Sequence, residues 1–122
     1  MIHPDQIDGS FAPTVDPAVA SIELDGEAVL YHEASSTVHV LNSTATIIWG
    51  CIDGRTDLDT MCGELADVFY VDVEVVRTDV ITAVRELGRQ GLLVDVQPDP
   101  EVVAANRLDP GRPSSFIDEP GD

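Results

Sequence analysis

The stretch Thr37-Val38-His39-Val40-Leu41-Asn42-Ser43-Thr44-Ala45-Thr46-Ile47-Ile48-Trp49-Gly50-Cys51-Ile52-Asp53-Gly54 changes its periodicity once, and that change sets the fold. Thr37 to Leu41 is rich in β-branched side chains and reads as a strand. Asn42 and Ser43 then interrupt it, and either side chain can cap a helix. Ala45, Ile48, Trp49 and Ile52 recur at helical spacing, and Asp53-Gly54 stops the helix. A strand running into an apolar helix without a linker marks a seam between a sheet and a helical half.

Outward toward the N-terminus, Ser21-Ile22-Glu23-Leu24 alternates polar and apolar residues and meets Asp25-Gly26, a two-residue turn signal. Glu27 to Glu33 forms a second strand, and Ala34-Ser35-Ser36 turns the chain into Thr37. Connections this short imply an antiparallel meander. Outward toward the C-terminus, a second helix runs from about Leu58 to Phe69, with Thr56 or Asp57 as cap and Leu58, Met61, Cys62, Leu65 and Phe69 as its inner stripe. The third helix runs from about Val73 to Gln90, ends at Gly91, and is followed by an extended Leu92-Leu93-Val94. The pattern predicts an α+β domain of winged-helix type, a three-stranded antiparallel sheet followed by three helices. Its core spans residues 20–94. Residues 1–19, with Pro4, Pro13 and Pro17, read as a flexible arm. Residues 95–122, acidic and punctuated by prolines, read as a largely disordered tail with one helical turn near Glu101 to Leu108.

The 122 residues carry 23 acids against six bases, all arginine, for a formal charge of −17. Such a chain repels phosphate backbones and argues against nucleic acid as a partner. A hydrophobic content of 43% is enough for a core, yet no apolar run approaches the ~20 residues of a membrane span. The first residues show no basic region and no apolar segment, so a cytoplasmic location is expected. Cys51 and Cys62 fall on separate helices and read as reduced, buried small hydrophobes.

Catalytic patterns are missing. There is no glycine-rich phosphate loop, no Cys-x-x-Cys, no His-Glu-x-x-His and no nucleophile elbow. His32 and His39 flank one turn but have no third metal ligand in view, so strand-surface histidines are the simpler reading. Neither an enzyme nor a cofactor is expected.

On the third helix, Val73, Val76, Val80, Ala83, Val84 and Leu87 share one arc, which is the core face. The adjoining arc carries Arg77, Ile81, Arg85 and Arg89, half of all the positive charge on one stripe. Solvated surface pairs with Glu74 and Glu86 would explain the arginines alone, since such pairs are common and weak. Ile81, apolar and outside the core arc, favours a surface that docks an acidic, partly hydrophobic peptide. Beside it, the strand Thr37, Val38, His39, Val40, Leu41 would recruit that peptide by backbone pairing if it lies at a sheet edge. The expected site is therefore this strand together with Arg77, Ile81, Val84 and Arg85. Such an edge serves a homodimer equally well.

The ordered run Val40 to Trp49, Asp53-Gly54-Arg55-Thr56, Leu65-Ala66, Phe69-Tyr70-Val71-Asp72, Val76-Arg77-Thr78-Asp79-Val80 and Leu87-Gly88-Arg89-Gln90-Gly91-Leu92-Leu93 resembles the PqqD-like family. The resemblance covers about residues 20–94. It implies a RiPP recognition element, a winged-helix-type peptide chaperone that binds the leader of a ribosomally made precursor peptide. It also implies a modifying-enzyme partner, such as a radical SAM protein or another RiPP maturase. The leader would add beside the third strand and against the third helix. The rival from the residues themselves is a DNA-binding winged-helix regulator that reads through the third helix; Glu74, Asp79, Glu86 and the net charge oppose it.

Overall fold

A computed structural model describes residues 1–107. Three strands, β1 (Val19–Leu24), β2 (Glu27–His32) and β3 (Thr37–Val40), form one antiparallel sheet in the order β1-β2-β3. Four helices follow: α1 (Ser43–Cys51), α2 (Leu58–Phe69), α3 (Val73–Arg89) and the short α4 (Pro100–Ala105). The α+β architecture expected from the change of periodicity at Asn42 is the one observed.

Local chemistry explains each junction. Asp25 and Gly26 both take positive φ, 54° and 81°, as a two-residue hairpin turn requires. The Asn42 side chain accepts the Ala45 N–H at 2.8 Å and caps α1. The Thr46 hydroxyl, inside α1, accepts the Ala28 N–H at 2.8 Å and so ties the helix to β2. Asp57 caps α2 through the Thr60 N–H, and Asp72 caps α3 through the Glu74 N–H. At the end of α3, Gly91 has φ of 79° and the Leu92 N–H donates to the Leu87 carbonyl, closing a Schellman turn.

The inner sheet face, with Ala28, Leu30 and Leu41, packs on Ile48 of α1, on Leu58, Met61 and Cys62 of α2, and on Val80, Val84 and Leu87 of α3. Leu92, Leu93 and Val96 close the core from the C-terminal side.

The arm corrects the expectation that residues 1–19 stand apart. Ile7 is 0% exposed and belongs to the core, and Pro13 is fully buried. Ile2 bridges Val96 in parallel, and Val15 bridges Leu93 in antiparallel. The carbonyls of Gly9 and Phe11 accept the N–H groups of Asp59 and Leu58. Those donors at the start of α2 have no partner within the helix, which is why the arm settles there. Burying the Ile7 side chain supplies about 1.5–3 kcal/mol, and Ile2 and Phe11 pack against the core beside it. Residues 95–107 are likewise ordered further than expected: Val96 is buried, and one and a half turns of helix form at Pro100–Ala105. The remainder of the tail lies outside the described residues.

Candidate functional site

Strand β3 is an edge of the sheet, with β2 on its other side. The Leu41 N–H donates to the Ala28 carbonyl, whereas the Val38 N–H points away from β2. Because antiparallel strands alternate these directions, the backbone groups of Val38 and Val40 face away from β2. Side chains alternate as well. Thr37, His39 and Leu41 are buried beneath the strand, while Val40 is 62% exposed on the outer face.

A groove of about 560 Å³ runs alongside the end of β3. Val40, Leu41, Asn42, Thr44 and Ala45 form one wall, and Asp79, Thr82, Ala83, Glu86, Leu87 and Gln90 of α3 form the other. An apolar cavity of about 280 Å³ shares Thr44 and Asp79 with it and continues between α1, α2 and α3, lined by residues such as Ile47, Leu65, Phe69 and Val76. The α3 wall carries two carboxylates and no base. Its centre lies roughly 140° around the helix from the arginine stripe, at 100° per residue.

The arginines are engaged elsewhere. Arg85 donates through Nε and Nη2 to the Ile7 carbonyl at 3.1 and 2.9 Å. Arg77 pairs with Asp59 of α2, and Arg89 pairs with Asp5 at 2.6 Å. Ile81 is half-buried against the core, and Val84 is 0% exposed within it. None of the four α3 residues expected at the site lines the groove; they anchor the arm and α2 or fill the core. The physical reason is that other segments satisfy the stripe: Asp59 of α2 pairs with Arg77, and the arm supplies the Ile7 carbonyl to Arg85 and the Asp5 carboxylate to Arg89. With these arginines occupied, the DNA-reading alternative loses the feature that supported it.

Thr37 and His39 have a structural role under the strand. Asp16 Oδ2 contacts His32 Nε2 at 2.9 Å, His32 Nδ1 contacts Ser35 Oγ at 3.0 Å, and Ser35 Oγ contacts Thr37 Oγ1 at 2.9 Å. Thr37 Oγ1 reaches His39 Nε2 at 3.0 Å. This chain of polar contacts fixes β3 from its buried side. The Ala18 N–H, then His32, holds the Asp16 carboxyl below its ordinary range. Burial, reinforced by His32 and weakly opposed by Gln90, pushes His39 below the usual imidazole value, so it stays neutral. Among the described residues no group of three His, Cys, Asp or Glu side chains is placed to hold a metal. Cys51 and Cys62 are free thiols, both made less acidic chiefly by burial. No described helix is long and apolar enough to cross a membrane.

The family model of coenzyme PQQ synthesis protein D (PqqD) matches residues 27–93, from the start of β2 to the end of the Leu92-Leu93 segment. The chain belongs to the PqqD family. The match leaves out the arm, β1 and everything after Leu93, including α4. Among solved structures, the PqqD-family domain is similar to TbiB1 in complex with the TbiA(beta) leader peptide. That likeness has 24% identity and a TM-score of 0.61, over 67% of this chain and 95% of that one. No curated protein matches the sequence.

Proposed function

We propose that this PqqD-family chain is a RiPP recognition element, a non-catalytic peptide chaperone that binds a leader peptide and presents it to a modifying enzyme. The observation that carries the reading is the β3 edge, with Val38 and Val40 facing outward beside the α3 groove. An extended peptide gains affinity there from main-chain pairing, and groove side chains select its residues. The solved TbiB1 complex, similar in fold, supports the same use of the domain. Asp79 and Glu86 on the groove wall, with the arginines turned away, favour a peptide that presents neutral or basic residues to α3, in place of the acidic peptide expected from the stripe. The apolar cavity beyond Thr44 suits a large hydrophobic side chain. A second copy of the chain also suits this edge, so a leader that dissociates a homodimer would compete for the same backbone groups.

Synthetic leaders of precursor peptides encoded beside this gene provide the test, with Trp49 fluorescence and amide chemical shifts as readouts. Binding should shift Val38, Val40, Ala83 and Glu86. The substitution Thr82→Arg, at an exposed residue of the same groove wall, fills the groove without touching the buried core. It should weaken binding at least about tenfold, on the order of 1.4 kcal/mol, and leave the melting temperature unchanged. Shifts confined to Arg77, Arg85 and Arg89 would refute this placement, and absence of binding to every such leader would refute the function.

A further inference from the structure

The edge of β3 is not empty. Arg107 bridges Thr37 in antiparallel register, and the Val38 N–H donates to the Asn106 carbonyl at 3.2 Å. The Arg107 Nε reaches the Ser35 carbonyl at 3.4 Å. The chain's own C-terminal segment therefore sits on one of the two edge positions that strand addition needs. It arrives there through α4, whose start is tied to α3 by the Asp99 N–H donating to the Arg89 carbonyl at 2.8 Å. Gly91, with a φ of 79°, turns the chain out of α3 toward this crossing, and Pro98 and Val103 pack beside it. Thus α4 spans from the end of α3 to the start of β3.

We infer that α4 and residues 106–107 form an intramolecular lid, which occupies the β3 edge in the free protein and leaves it when a peptide adds along the whole strand. This inference rests on the peptide-binding reading above. Two features make the segment displaceable. No residue of α4 is buried, and a six-residue helix is far too short to persist without its contacts. The lid also lies outside residues 27–93, so it belongs to this chain's own extension and not to the matched domain. A closed lid raises the apparent Kd by the reciprocal of the open fraction; a lid closed nine-tenths of the time costs about tenfold in affinity.

The full chain, Ala104→Pro and Asp99→Ala test this. Proline at 104 removes a helical N–H inside α4, and alanine at 99 removes the carboxylate that accepts the Glu101 N–H while keeping the backbone bond to Arg89. In the absence of peptide, amide exchange at Val38 should accelerate at least about tenfold in Ala104→Pro and less in Asp99→Ala, with Leu30 unchanged. A synthetic peptide of residues 98–122, added in trans to the Ala104→Pro chain, should restore Val38 protection. The leaders described above should bind Ala104→Pro about tenfold more tightly than the full chain. Unchanged Val38 exchange in both variants overturns the edge contact. Accelerated exchange with equal leader affinity overturns the lid alone, whereas leaders that bind neither chain overturn the recognition reading and the lid's regulatory role together.

Discussion

Replacing Arg85 by alanine separates a structural arginine from a binding one. The guanidinium donates two hydrogen bonds to the carbonyl of Ile7, a residue with no exposed surface. Truncation removes charge-assisted bonds worth about 1.5–3 kcal/mol and leaves a carbonyl near the core without its donor. Taking about 2 kcal/mol, a domain of this size should melt roughly 8–9 °C lower. Urea unfolding followed by the fluorescence of the half-buried Trp49 gives the free energy, and calorimetry gives the melting temperature. Under conditions where the variant remains folded, leader affinity should match the wild type. The opposite pattern, an unchanged melting temperature with lost binding, would place Arg85 in the peptide site and refute the reasoning.

The arm should contribute stability through its largest buried side chain: Ile7→Ala should cost about 2–5 kcal/mol in urea unfolding, with accelerated exchange at Leu58 and Asp59, whose N–H groups the arm accepts. His39 sets a pH dependence of definite sign. Its folded value lies below the ordinary 6.5, so both folded and unfolded chains are neutral above that pH. As pH falls through 6.5 the unfolded chain takes up the proton first, and stability should decline until folded His39 also protonates. His39→Gln should flatten that part of a stability-versus-pH curve, which urea midpoints across the range would reveal.

Much of the domain was legible because its signals are local. The Asp25-Gly26 turn, the Asn42 and Asp57 caps and Gly91 each act within a few residues, so the three strands and helices α1 to α3 fall within two residues of their expected limits. The arm was harder to read. Ile7 is a lone apolar residue among acids and prolines, with no periodicity, and its burial depends on a cavity that α2 and α3 create together. Helix α4 was legible as a turn of helix near Glu101, but its contact with β3 was not.

The site divides along the same line. Strand periodicity was enough to select Thr37 to Leu41, but which of them face the edge follows from the β2–β3 register, which turns the backbone of Val38 and Val40 away from β2 and buries Thr37 and His39. On α3 the arithmetic of 100° per residue found Val80, Val84 and Leu87 as core but placed exposed Val73 with them and left out Ile81, which packs on the core, and it gave the stripe to the peptide. What decided otherwise was the position of two distant segments. The arm engages Arg85 and Arg89 from more than 70 residues away, as in the Arg85–Ile7 contact, and the sheet approaches α3 from another side. Sequence by itself determines how each segment presents its faces, because those forces act between near neighbours. Only tertiary packing decides which face is covered and which remains for a partner, because that depends on contacts between residues that no local pattern connects.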